Sequence, residues 1–379
     1  MTASAEALFQ QGMEHKDSTP PDYAKAAEFF KQAADARHVE ATFWLGLLNY
    51  GGRGIEKNLE NAFNLFLKAA EQGHPLSQSN VAGMYDNGLG VERNVGKAHE
   101  WYLRAAEQGE QVAQFSVAFA YETGEGVEQD SAKAVEWYSR AADQGMADAL
   151  NRLGDLYYIG DGVEQDYSKA FAYWQDAADK GFAPAMLNIA QSYETGEGVE
   201  QDEAKAAEWY QKAADGGDAE AQYKVGQNLE NSGDEDSYFE ALDWYHKAAQ
   251  QGHPDAQYAM ACAFEEAQMA DQGWQAMNWY AKAAQSGHAG AQFRMGEAYA
   301  NGEVVDKDMT RAAYWYEKAA EQDHTEALAN LAQLYQLGNG VERDTAKAIE
   351  LYAKAAEKGD ALSKTMFEQL KKAGEIKFQ

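Results

Sequence analysis

The strongest constraint on the fold is an aromatic pair followed at a fixed distance by two alanines. It reads WYLRAA at 101, WYSRAA at 137, WYQKAA at 209, WYHKAA at 244, WYAKAA at 279 and WYEKAA at 315. Looser copies are FFKQAA at 29, LFLKAA at 65, YWQDAA at 173 and LYAKAA at 351. The first alanine of each pair falls at 33, 69, 105, 141, 177, 213, 248, 283, 319 and 355. The step is 36 residues, except for two steps of 35 around the unit centred on Trp244. A period of this length belongs to stacked supersecondary units, none of which buries its apolar face alone. The decapeptide YETGEGVEQD, at 121–130 and again at 193–202, is then one connector seen twice, two repeats apart.

Each period holds two helices. In SAKAVEWYSRAADQG (131–145), Ala134, Trp137, Tyr138 and Ala141 fall at i, i+3, i+4 and i+7, one face of a helix. Asp130 precedes it as an N-cap, and Gly145 is suited to a left-handed C′ position. Asp or Asn holds the cap position in most units: Asp22, Asn58, Asn94, Asp166, Asp202, Asp308 and Asp344. In ADALNRLGDLYY (147–158), Ala149, Leu153 and Tyr157 are spaced by four, and beside the leucine lies Gly154. The equivalents of Gly154 are all Gly or Ala, which predicts a close approach between helices. In the connector, Gly124 stops one helix, Gly126 permits the turn, Val127 tucks inward and Asp130 caps the next helix. The register reaches the N-terminus through Ala5, Phe9 and Met13, giving ten helix pairs from residue 3 to about 359. A last helix, DALSKTMFEQLKKAGE, is expected to cap the final apolar face.

The elements WYxKAAEQG, AQ…G…Y and GxGVxxD, in ten copies over almost the whole chain, resemble the Sel-1-like repeats, relatives of the tetratricopeptide repeat. That resemblance implies an all-α, right-handed α-solenoid of about ten 36-residue helix-pair repeats with a C-terminal capping helix. It also implies a scaffold or adaptor that holds protein partners. Residues 1–379 are read as a single solenoid, with an irregular unit at about 231–275 and the cap at 360–379. In the irregular unit GxGV is lost on both sides of Trp244, as NSGDEDSYFE and EEAQMADQGWQ, and a local change in superhelical curvature is expected there. Some secreted members carry a disulfide in each repeat; this chain has one cysteine, Cys262.

The chemistry of the chain points away from catalysis. A formal net charge of −30 disfavours nucleic acid and anionic membranes as partners. The glycine-bearing connector follows a helix and carries Glu125, Glu128 and Asp130, whereas a phosphate loop needs GxxxxGK[ST] or GxGxxG after a strand. Asp234, Glu235 and Asp236 lack the glycine and distal glutamate of a calcium loop. Five of eight histidines, His38, His74, His253, His288 and His324, share one position before a helix, which reads as a turn or capping role rather than a metal site. The tryptophans at 101, 137, 209, 244, 279 and 315 read as one core position, and Cys262 as a buried, inert thiol. No catalytic residue, cofactor or metal is expected. The sequence shows no signal peptide and no apolar run long enough to span a membrane, so the expected location is cytoplasmic, or periplasmic if a leader has been removed.

In tetratricopeptide relatives the first helix of each pair lines the concave face, and the fold leaves its non-core positions free. The leading non-core position reads Trp44, Asn80, Ser116, Arg152, Asn188, Lys224, Ala259, Arg294 and Asn330. Of these, Asn80, Arg152, Asn188, Lys224, Arg294 and Asn330 suit the holding of an extended peptide: amides pair with backbone groups and cations with carboxylates. A second stripe, Asp86, Glu122, Glu194, Glu230 and Glu265, forms an acidic rim suited to a basic segment. Solvated polar residues on an exposed helix face carry the same pattern. The sequence therefore supports a non-enzymatic scaffold with a protein or peptide partner. The alternative is an antidote-type protein that neutralises a basic toxin or effector.

Overall fold

The computed structural model describes residues 4–266, 272–302 and 304–376. Among them there are 21 helices and no strand, and the helices alternate in pairs as the repeat demands. The chain divides into two compact units, ending and beginning at Asp202 and Glu203, a boundary that falls between the two helices of the sixth repeat.

The first unit runs α1 (Ala5–Lys16), α2 (Tyr23–Asp35), α3 (Val39–Gly51), α4 (Leu59–Ala70), α5 (Pro75–Asn87) and α6 (Val95–Glu107). It continues with α7 (Gln111–Thr123), α8 (Ser131–Asp143), α9 (Ala147–Ile159), α10 (Tyr167–Ala178) and α11 (Ala183–Thr195). The second unit holds α12 (Glu203–Asp215), α13 (Ala219–Glu230), α14 (Glu235–Gln250), α15 (Pro254–Glu266) and α16 (Gln272–Gln285). It ends with α17 (Ala289–Asn301), α18 (Met309–Ala320), α19 (Thr325–Leu337), α20 (Thr345–Glu357) and α21 (Ala361–Ile376). Odd-numbered helices up to α19 are first helices of a pair.

Within each unit consecutive helices pack against one another: every second helix but α12 lies against its own first helix and against the next, and α12 lies against α13, so the core is continuous within each unit. One stretch shows the layering. Ala105, Val117, Ala118, Tyr138, Ala141 and Leu153, drawn from α6 to α9, are fully buried together. The marker alanine of every repeat, from Ala33 to Ala355, is fully buried. A larger side chain there would wedge the second helix away from its neighbours, and overpacking of this kind costs about 1–3 kcal/mol. The AQ signature has an equally local cause. Gln114 donates to the Ala106 carbonyl at 3.3 Å, and Gln144 of the following DQG donates to the Gln114 side chain at 2.7 Å. Equivalent bonds join Gln78 with Gln108, Gln222 with Gln251 and Gln292 with Gln322, satisfying carbonyls at the buried end of each second helix.

The connector behaves as its residues dictate. Gly124 ends α7 in the left-handed region, its N–H bonded to the Ala120 carbonyl. A Cβ on Gly126 would sit 2.4 Å from the Val95 carbonyl oxygen, so only glycine fits where the connector crosses the start of α6. Asp130 accepts from the Lys133 N–H at 3.1 Å, and Asp22, Asn58, Asn94, Asp166, Asp308 and Asp344 cap their helices in the same way. Each such cap contributes about 1 kcal/mol.

The tryptophan row is less interior than its spacing predicts. Trp137 and Trp244 are buried, but Trp101, Trp209, Trp279 and Trp315 are half-buried. In five units the cation of the motif covers the indole: Arg104, Arg140, Lys212, Lys247 and Lys282 lie 3.7–4.4 Å from the ring centroids of the tryptophans three residues earlier. Lys318, three residues after Trp315, pairs with Glu321 instead. In the irregular unit α13 ends at Asn231 in a right-handed conformation, and α14 has 16 residues against 13 in α8. Residues 267–271 of its second connector lie outside the described residues. At the C-terminus Met366, Phe367 and Leu370 of α21 pack against the last core cluster, as a cap must; residues 377–379 lie outside the described residues.

Candidate functional site

The first-helix face is where side chains vary on a constant frame. Its central finding is that the two stripes legible in the sequence meet. Tyr138 on α8 donates to Glu122 Oε2 on α7 at 2.5 Å, and Arg152 on α9 places Nη1 3.9 Å from both Glu122 Oε1 and Asp155 Oδ2. The arrangement recurs in the second unit. Tyr280 donates to Glu265 Oε2 at 2.7 Å, Arg294 bonds Glu265 Oε1 through Nη2, and its Nη1 lies 3.0 Å from Glu297 Oε2. Tyr245 donates to Glu230 at 2.6 Å, but Ala259 supplies no cation there. An acid late in one first helix, a tyrosine between, and a cation early in the next first helix thus form one cassette.

The electrostatics follow from that placement. Burial, reinforced by the Glu122 bond, drives the Tyr138 phenol far above its ordinary range, so it remains a donor at every physiological pH. Burial would raise the Glu265 carboxyl as well, but Tyr280 and Arg294 outweigh it and hold the group low. Asp155 is different: burial dominates and raises it, although Trp174 Nε1 donates at 3.0 Å, Asn188 Nδ2 at 3.1 Å and Asn151 Nδ2 at 3.2 Å. Asn188 also donates to Asn151 Oδ1 at 3.2 Å, so this network ties α9 to α11. Burial pushes the pKa of the Tyr316 phenol up to about 12, with Asn330 opposing it. Among the described residues Asn80 bonds only backward, to the Leu76 carbonyl at 2.7 Å. Lys224 makes no hydrogen bond or ion pair among the described residues.

Three clefts open on this face at one repeat position, each between successive first helices with an aromatic side chain of the second helix beneath. The α5–α7 cleft (≈ 120 Å³) has Tyr102 at that place, the α9–α11 cleft (≈ 450 Å³) Trp174, and the α15–α17 cleft (≈ 170 Å³) Tyr280. Their walls differ: Ser116 and Phe119 in the first, Asn188 and Gln191 in the second, Arg294 and Glu297 in the third. Asp86 lines the first cleft, Glu194 the second and Glu265 the third. Asn80 lines a separate hollow of ≈ 350 Å³ with Tyr50, Leu76 and Val112, all three exposed. Spacing alone did not single out Asp155, Trp174 or the tyrosines as partners of the stripes. The available signal was a Glu 15 or 16 residues before the repeated tyrosine, at 122 and 138, 230 and 245, and 265 and 280.

The histidines cap helices. Nδ1 of His38, His74, His253 and His288 accepts a backbone N–H three residues on, at 3.0–3.2 Å. Nε2 of His38, His74 and His253 faces an acid one repeat earlier, Glu6, Glu40 and Glu220 respectively, at 2.8–3.0 Å. His324 occupies the same cap position without a side-chain cap bond, stacked on Phe293. Among the described residues no three His, Cys, Asp or Glu side chains are grouped to hold a metal ion. Cys262 is half-buried, its Sγ 3.6 Å from the Tyr280 hydroxyl. No described helix is long and apolar enough to cross a membrane.

Comparison with known proteins agrees with this architecture. The model of the Sel1 repeat matches ten consecutive segments: 5–38, 39–74, 75–110, 111–146, 147–182, 183–218, 219–253, 254–288, 289–324 and 325–360. The crystal structure of c5321, described as a protective antigen present in uropathogenic Escherichia coli strains, is 30% identical over 97% of this chain and 88% of its own, with a TM-score of 0.62. A Sel1 repeat protein from Oxalobacter formigenes is 28% identical over 65% of this chain and 98% of its own, with a TM-score of 0.55. No curated protein matches the chain.

Proposed function

The chain belongs to the Sel1 repeat family, and from that premise we propose that it is a non-enzymatic scaffold which holds an extended or basic segment of a partner protein along its first-helix face. The observation that carries this reading is the recurring cleft. One repeat position, built on a constant aromatic, is walled by different polar side chains in different repeats. The change from Ser116 to Asn188 to Arg294 on a shared frame gives each repeat its own contact chemistry, which supports a recognition surface. Asn80 and Lys224, with the remaining donors of Arg152, Asn188, Arg294 and Asn330, supply pairing for a peptide backbone and its carboxylates. Asp86, Glu122, Glu194, Glu230 and Glu265, within a net charge of −30, favour a basic segment and fast, salt-sensitive association. The same charge supports the narrower reading in which the partner is a single basic toxin or effector that the chain neutralises.

Variants for the test must leave the cassettes alone, because Arg152 and Arg294 hold neighbouring first helices together. Ile159 is 61% exposed at the rim of the α9–α11 cleft, and Lys224 makes no hydrogen bond or ion pair among the described residues. Ile159→Asp and Lys224→Glu are expected to retain the helical signal and melting behaviour of the parent chain. They are expected to lose the proteins it captures from a host lysate at low salt. Partners retained by both variants would remove the binding surface from the first-helix face. One dominant, basic, salt-sensitive partner selects the neutralising reading, and several weaker ones select the general scaffold.

A further inference from the structure

The α5–α7 cleft departs from its equivalents at three positions together. Ser116 stands where the two complete cassettes have Arg152 and Arg294, and Phe119 where they have Asp155 and Glu297. His99 stands where other repeats carry Phe63, Val135, Phe171 or Met277. In the complete cassettes a guanidinium lies between two carboxylates. Here the first acid remains, as Asp86, while the guanidinium is missing and the second acid is an aromatic.

The consequences are visible in the bonding. Asp86 is one methylene shorter than Glu122 and Glu265, and its charge, with burial, raises the Tyr102 phenol. The Asp86 carboxylate makes no hydrogen bond or ion pair among the described residues. Arg93, at the rim, does not fill the gap. Its Nη2 is held by Glu125 at 2.6 Å and its Nε by the Asp86 backbone carbonyl at 2.7 Å. His99 is only 9% exposed, and its Nδ1 is buried without a partner. Burial lowers its pKa, so at neutral pH it adds no charge opposed to a cation. Phe115, Phe119 and Tyr102 line the remaining ≈ 120 Å³. A cavity of about 150 Å³ holds benzene, so this cleft admits a planar group of guanidinium size.

We propose that the α5–α7 cleft is a socket for an arginine side chain of the bound partner, with Asp86 as counter-ion and Phe119 and Tyr102 as stacking walls. The inference rests on the proposed role of the first-helix face. Arginine is preferred to lysine because a planar, weakly hydrated cation stacks on aromatic rings and presents paired donors to a carboxylate. The partner would thereby complete, in this repeat, the cassette that the chain completes for itself at Arg152 and Arg294.

The test uses N-acetyl-arginine methylamide as probe, titrated into the full chain with isotope-labelled histidine. The His99 resonance is assigned by its loss in His99→Phe and followed by NMR. A saturable shift with Kd on the order of 1 mM is expected, as befits one side chain without its peptide. The neutral citrulline analogue, and the arginine probe on Asp86→Asn, should each bind at least about tenfold more weakly, since a hydrogen bond to a charged group is lost. Ser116→Arg should abolish binding by placing the chain's own guanidinium in the socket. Absence of a saturable shift, equal binding of the citrulline or lysine analogue, or an unchanged Kd in Asp86→Asn overturns the socket. If Ser116→Arg does not fold, the citrulline and Asp86→Asn measurements decide alone. Partner capture by Ile159→Asp and Lys224→Glu is a separate reading. Probe binding with capture untouched by those variants keeps the socket and removes the proposed function, and the reverse keeps the face without the socket.

Discussion

Gly154→Ala tests the packing that builds the α9–α11 cleft, and two opposing effects decide its sign. Replacing a helix-interior glycine by alanine gains about 1 kcal/mol from backbone propensity. Against this, the new Cβ would sit 2.3 Å from Trp174 Nε1, 2.4 Å from Cδ1 and 2.9 Å from Cε2. Trp174 is buried and its Nε1 is bonded to Asp155, so the indole cannot retreat without losing that bond. Overpacking costs about 1–3 kcal/mol and a hydrogen bond to a charged group about 1.5–3, which leaves a net loss of about 1.5–5 kcal/mol. In stacked repeats such a loss is local and global unfolding need not be two-state, so the assay is hydrogen exchange. Amides of 147–195 should exchange faster by about one to three and a half orders of magnitude, at a factor of ten per 1.4 kcal/mol. The adjacent repeat supplies a rescue, because there Ala118 is paired with Tyr138. Adding Trp174→Tyr to Gly154→Ala should recover protection, with a coupling of at least about 1 kcal/mol. Unchanged or slower exchange in Gly154→Ala, or no recovery in the double variant, would refute the steric argument.

Tyr138→Phe and Glu122→Gln should each destabilise the region of α7–α9, and a double-mutant cycle read by exchange should give a coupling of about 1.5–3 kcal/mol; additive effects would remove the cassette as an energetic unit. His253→Ala should cost about 1 kcal/mol and loosen α15 first, while His253→Asn, which keeps a capping acceptor, should cost less; equal losses would show that the cap bond contributes nothing. Burial lowers the pKa of His99, with the Glu100 charge opposing it, and that of His288, with Asp255 opposing it. In both cases the unfolded chain binds the proton more readily. Their contribution should therefore be constant above about pH 6.5, fall as the pH drops from there through the folded-state values, and level off below them. Denaturant titrations across that window should show the slope reduced in His99→Phe with His288→Asn, and an unaltered slope would assign it to other groups.

The periodic part of this protein was legible because its physics is local. A cap, a C′ glycine and a buried alanine recur wherever a helix must start, stop or pass close to another, so Asp130, Gly124 and Ala141 declare the helix pair without reference to any distant residue. The tryptophan row misled because spacing reports a face and not its depth; a cation three residues on follows buried Trp137 and Trp244 as well as half-buried Trp101 and Trp209, so it does not tell the two apart. The site was legible only as two separate stripes. Glu122 and Arg152 are 30 residues apart, and nothing in either stripe shows that Tyr138 lies between them. Once the pairing is known, binding residues are better sought by subtraction. Where acid, tyrosine and cation complete one another, as at Glu265, Tyr280 and Arg294, charge is committed to holding neighbouring helices. Where the set is broken, as at Asp86, Tyr102 and Ser116, a carboxylate and an aromatic wall are left over, and the missing member describes the group that would fit there.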